Sequence, residues 1–180
     1  MSNSPRDWAL IGLFAALISA FGLLGILPLG PIPVTPQNLG AMLAGTLLGA
    51  RRGVAAVVCF ELLTFAGLPL LAGGRGGIAP LVGPSAGYLI GWIPGTLVIG
   101  LLARPSGRSY HLGRALAANI IGGIAVVYAV GIPVSAWWFH SRVVAIAVST
   151  VQFLPGDLAK AVISAFVGRS VSRALPDGCR

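Results

Sequence analysis

From Trp8 to Leu27 the chain runs 20 residues without a charged side chain, and that stretch decides what it can fold into. At 1.5 Å per helical residue it reaches about 30 Å, the thickness of a bilayer's hydrocarbon core. Comparable runs recur to the C-terminus. Only 9% of the 180 residues are charged and 56% are hydrophobic, against roughly 25% charged in an ordinary soluble domain. With a mean hydropathy of +0.92, the sequence predicts an all-α membrane protein, one integral domain over residues 1–180. The N-terminus MSNSPRDW is polar and no A-x-A-like site follows the first run, so that run is expected to stay as a span rather than be cleaved.

The apolar runs set six transmembrane helices, at about 8–27, 37–50, 53–71, 84–103, 112–131 and 153–169, with a shorter helix over 142–152 leading into the last. Between the first two, Pro28 to Pro36 carries four prolines in nine residues. It cannot continue as helix, yet it is too apolar for a solvated loop, so it is expected to fold back over the protein. Arginine and lysine resist translocation. Arg6, Arg51, Arg52, Arg104, Arg108, Arg114, Arg169, Arg173 and Arg180 fall at the N-terminus, the second and fourth loops and the C-terminus. Those places share one side, so both termini are expected to be cytoplasmic. Arg75, Arg142 and Lys160 are left on the outer half.

The net charge of +8 comes from these arginines between apolar runs rather than from a basic face with aromatics. Membrane topology accounts for it, and nucleic acid is not an expected partner. Cys59 and Cys179 lack metal-ligand spacing, and His111 and His140 stand alone, so no metal is expected. There is no P-loop, no nucleophile with a histidine neighbour and no carboxylate pair in a pocket-sized segment. The chain reads as a non-enzyme that cannot hydrolyse ATP by itself, with no cofactor.

The polar residues of the outer half are the informative ones. In FLPGDLAK, Phe153 to Lys160, Pro155 suits a first helical turn, which needs no N–H donor there, and Asp157 is favoured by the positive end of the helix dipole. Lys160, the only lysine, stands three residues on, so both side chains leave one helical face. They offer a small polar molecule an acceptor beside a cation; equally, they form an i,i+3 ion pair that caps the helix. Gln37 and Asn38 open the second span, as caps or as ligand groups. Arg75 sits in GGRGG, where glycines let backbone approach a ligand. Tyr88, Trp92, Trp137 and Trp138 read as pocket walls or as interfacial anchors, and for the tryptophans the interface is preferred. Glu61, inside the third span, is costly in lipid and must be protonated, paired or turned toward a polar partner.

The succession GPIPVTPQNLG, GLPLLAGGRGG, GPSAGYLIGW and FLPGDLAK resembles the BioY-type biotin-uptake proteins, the substrate-binding S components of energy-coupling factor (ECF) transporters. The resemblance covers nearly the whole chain. It implies the six-helix S-component fold, high-affinity biotin binding near the outer face under the loop after span one, and a place in the cytoplasmic membrane of a prokaryote. It further implies that Asp157, supplemented by Asn38, accepts the ureido N–H groups. Lys160 or Arg75 would take the carboxylate, and Tyr88 with leucines of the proline-rich loop the thiophane. Gln37 would stand beside them. The residue after Tyr88 is Leu89, where some family members look basic. In S components an AxxxA motif faces the transmembrane T component, which places Ala16 and Ala20 of AALISA at that interface. Ala15 and Ser19 are offset by one. The ATP-binding A subunits would supply the energy. The competing reading is a self-sufficient carrier of biotin or another small carboxylate, with Glu61 or Asp157 as proton site. A third is an intramembrane enzyme or receptor using the same outer pocket.

Overall fold

The computed structural model describes residues 4–23, 35–103 and 110–174. Helix α1 spans Pro5–Leu23, α2 Gln37–Phe65, α3 Ala86–Ala103, α4 Leu112–Ile120, α5 Val127–Trp138, α6 Val143–Thr150 and α7 Leu154–Ala174. A π-helical turn, Ile121–Val126, carries α4 into α5, and a 3-10 turn, Val151–Phe153, carries α6 into α7. Among the described residues five helical stretches are long and apolar enough to cross a membrane: Pro5–Leu23, Gln37–Phe65, Ala86–Ala103, Leu112–Trp138 and Val143–Ala174. Large apolar side chains such as Leu13, Leu101, Ile163 and Phe166 point outward, as helices in lipid require.

The second stretch is not a straight rod. Gly49 sits at φ 79° and ψ −174°, a conformation open to glycine and strained for any other residue. A Cβ placed on Gly53 would lie 2.8 Å from the carbonyl oxygen of Ala44, although nine residues of continuous helix would separate the two by about 13 Å. The halves of α2 therefore fold back on each other. The turn falls at Gly49, two residues before the Arg51–Arg52 boundary that the charges suggested, because backbone freedom rather than charge reverses the chain.

Other boundaries shift for similar local reasons. The expected third span, 53–71, ends as helix at Phe65, followed by Gly67 at φ 112°. The expected fifth, 112–131, continues to Trp138 because the helix accommodates Pro133. Residues 24–27 of the first span, the proline-rich segment at 28–34 and Arg104, Arg108 and Arg180 lie outside the described residues.

The bundle has two distinguishable ends. At one, Arg52 pairs with Asp7 at 2.9 Å and Gly100 of α3 lies against Ala50. At the other, the Gln37 amide bonds Leu70 and Ala72, and the Trp138 indole N–H donates to the Val82 carbonyl at 2.7 Å. Between them α3 packs on the α4–α5 rod through Gly87, Gly91 and Gly95. A Cβ on Gly95 would come within 2.7 Å of the Gly122 carbonyl oxygen. Small residues four apart allow this close approach, which dispersion rewards in lipid.

A closed polar cluster sits toward the first of these ends. The Asn119 side-chain N–H group donates to Thr46 Oγ1 at 2.9 Å and to the Ala115 carbonyl at 2.8 Å. The hydroxyls of Thr46 and Ser164 lie 3.1 Å apart. All three residues are at most 1% exposed.

Candidate functional site

The chain at FLPGDLAK folds as its residues predict. Pro155 falls in the first turn of α7, Asp157 follows in the same turn, and Lys160 stands one turn on. Lys160 Nζ donates to Asp157 Oδ1 at 2.9 Å, and the Tyr128 hydroxyl, arriving from α5, donates to Asp157 Oδ2 at 2.6 Å. The i,i+3 ion pair is therefore formed, but it is not merely a cap: Asp157 and Lys160 both line a cleft at the Gln37 end of the bundle. Each Asp157 oxygen keeps a lone pair after these bonds, and Lys160 keeps two N–H donors.

The cleft is open at its mouth and has a cavity volume of about 100 Å³. Gln37, Asn38, Arg75 and Tyr88 line it together with Asp157 and Lys160. The geometry distinguishes their states. Asn38 donates to the Gly123 carbonyl at 3.3 Å, inside the π-helical turn. Arg75 spends its Nε on the Ala72 carbonyl at 3.1 Å and makes no ion pair with a carboxylate among the described residues. Its backbone closes a tight turn against Leu71, helped by Gly73 and Gly74 at positive φ. Tyr88 places its hydroxyl 3.4 Å from Thr150 Oγ1. Gln37 differs from the rest. Its Nε2 donates to Ile18 and Leu70 carbonyls at 3.3 and 2.9 Å, and its Oε1 accepts from Ala72 N–H at 3.0 Å. With its amide spent, Gln37 pins the Leu70–Arg75 turn to the start of α2.

Apolar side chains complete the walls: Leu71, Leu89, Trp92, Val127 and Phe153. Trp92 is buried and stacks near Phe60 at 6.1 Å, so for it the interfacial preference gives way to a wall of the cleft. Trp137, 76% exposed, and Trp138 stay on the surface. Leu89 faces the cleft as an apolar residue and brings no cation.

Sequence reasoning did not single out Tyr128. Its signal was a lone phenol in the apolar run AVVYAVG, since a tyrosine inside a membrane helix needs a partner for its hydroxyl. Outside the cleft, Ala16 and Ala20 are exposed on α1 while Ala15 is buried and Ser19 half-buried. Glu61 is buried, and its Oε1 has no hydrogen-bond partner among the described residues.

The cleft can thus accept two N–H groups at Asp157, donate from Lys160 and Arg75, and enclose an apolar ring between aromatic walls. Comparison with known proteins gives this chemistry a family. A curated biotin transporter BioY of Rhizobium etli is 46% identical over 181 residues, covering 96% of both chains. One of Rhodobacter capsulatus is 42% identical, covering 95% of both. A crystal structure described as the S component for biotin from an ECF-type ABC transporter superposes with a TM-score of 0.89 at 31% identity, over 98% of this chain and 96% of the other. The model of the BioY family matches residues 1–177, and the chain belongs to the BioY family.

Proposed function

We propose that this chain captures biotin in the outer cleft and is the S component of an ECF transporter in the cytoplasmic membrane of a prokaryote. The observation that carries the reading is the Asp157–Lys160–Tyr128 cluster opening into a ring-walled cleft, within a fold that matches a biotin S component. Biotin presents a ureido edge with two N–H donors and a carbonyl. Asp157 accepts the donors, Lys160 has N–H groups to spare for an oxygen, and Asn38 adds an amide. A hydrogen bond to a charged group is worth about 1.5 to 3 kcal/mol. Trp92, Tyr88 and Phe153 enclose the thiophane, and Arg75 at the rim is the cation best placed for the carboxylate because it is not already paired.

The membrane crossing fits the same reading. The reversal at Gly49 makes two passes of α2, giving six in all within one domain. Arg6, Arg51, Arg52, Arg114, Arg169 and Arg173 gather at the end opposite the cleft, which supports cytoplasmic termini by the positive-inside rule. Ala16 and Ala20, exposed on α1, offer a surface of small side chains to a T component, through which A subunits would supply the energy of ATP.

Purified chain in detergent should bind biotin tightly and carry it through purification, as mass spectrometry would detect. Lys160→Ala should weaken binding about tenfold or more. Replacing Ala16 and Ala20 by Trp should abolish T-component association and spare biotin binding. Biotin affinity equal to the parent's in both Asp157→Asn and Lys160→Ala would place the pocket elsewhere.

A further inference from the structure

Resting on the reading of Asp157 as the ureido acceptor, we propose that Tyr128 is a positioning residue that sets the charge preference of the pocket. Through its bond to Asp157 it selects a neutral urea over a cationic one. The argument begins with the carboxylate. Asp157 is 6% exposed, and two donors on opposite oxygens hold it: Lys160 Nζ at 2.9 Å on Oδ1 and the Tyr128 hydroxyl at 2.6 Å on Oδ2. An unaccompanied carboxylate in a cleft of this burial attracts a cation. A carboxylate already supplied with an ammonium and a phenol needs no further positive charge, and it rewards neutral N–H donors instead.

The phenol is held from several directions. Tyr88 packs against its ring edge-on, with centroids 6.1 Å apart and planes at 87°. Gly131 leaves the space that the Tyr88 ring occupies, since a Cβ there would overlap it. The π-helical turn immediately precedes α5, and Asn38 ties its Gly123 carbonyl to α2. A π-helical turn changes the angular register of everything after it along the helix, so the turn helps aim Tyr128 at α7. Both groups that define the urea end, Asn38 and Tyr128, are thus referenced to the same six residues, Ile121–Val126.

The test compares two ligands of nearly one shape: biotin, whose urea is neutral, and 2-iminobiotin in its guanidinium form at neutral pH. Both are titrated onto the full chain in detergent. Tyr128→Phe should weaken biotin about tenfold. It should weaken the guanidinium analogue by a smaller factor, because the less compensated carboxylate attracts the cation, so the preference for biotin falls. Equal losses for both ligands, or parental biotin affinity, would overturn the inference. Should Tyr128→Phe fail to fold, 3-fluorotyrosine at position 128 keeps the ring and strengthens the donor. The preference for biotin should then rise, and an unchanged preference would overturn the proposal. Asp157→Asn is the control for the underlying reading. If it leaves biotin binding intact, the acceptor assignment fails; if it weakens binding while Tyr128→Phe leaves the ligand preference unchanged, only the role of Tyr128 fails.

Discussion

Two groups of polar side chains sit inside the apolar helices of this protein, and they are built differently. Asn119, Thr46 and Ser164 form a closed cluster whose donors and acceptors satisfy one another or the Ala115 carbonyl. Asp157, Lys160 and Tyr128 also bond one another, but Lys160 retains N–H groups, Asp157 retains lone pairs, and all three face an open cleft. Both arrangements meet the requirement that polar groups in lipid find partners. Only the second has capacity left over. A polar residue in a membrane helix is therefore not itself a mark of a site; unspent hydrogen-bonding capacity facing a cavity is. Gln37 makes the same point within the cleft, since it lines the wall with both amide N–H donors committed.

The sharpest way to break this contrast is to change one member of each group. Asp157→Asn should lower biotin affinity about a hundredfold, as binding titration in detergent would record, and it should also lower the ligand-free melting temperature because Lys160 loses its charged partner. Asn119→Val should act on stability alone. It removes bonds buried in the bundle and should reduce stability by about 1 kcal/mol, with biotin affinity within about twofold of the parent. If Asn119→Val weakens biotin as strongly as Asp157→Asn does, the two clusters are one functional unit and the distinction fails. Gln37→Met sharpens the comparison further, with the smallest effect. Freed from its anchor, the Leu70–Arg75 turn should become more susceptible to limited proteolysis, and biotin affinity should fall about threefold.

Much of this organisation was legible in the sequence because membrane proteins write their spans in uninterrupted apolar residues. The 20 charge-free residues after Asp7, the boundary near Arg51 and the helix start at Pro155 all follow from one-dimensional rules of length, charge and capping. Asp157, Lys160, Asn38, Arg75 and Tyr88 could be gathered on one face for the same reason. The rest depended on angles. Nothing in IGGIAV announces a π-helical turn, and without that turn the register that brings Tyr128 to Asp157 is unreadable. Trp92 and Trp137 are the same residue type in similar apolar surroundings, yet one walls the cleft and the other faces outward; only the rotation of each helix separates them. Gln37 lines the cleft, but whether its amide was free depended on residues 33 and 35 positions away.

The glycine seam between α3 and the α4–α5 rod carries a mechanical implication. Gly95 and Gly122 bring main chain against main chain, with no room for a methyl group at either position. Where backbone carbonyls form the contact, no rotamer can swing aside, so local repacking offers little give. Any widening of the cleft would then come from tilting whole helices about the seam, which would act as a fulcrum rather than a cushion.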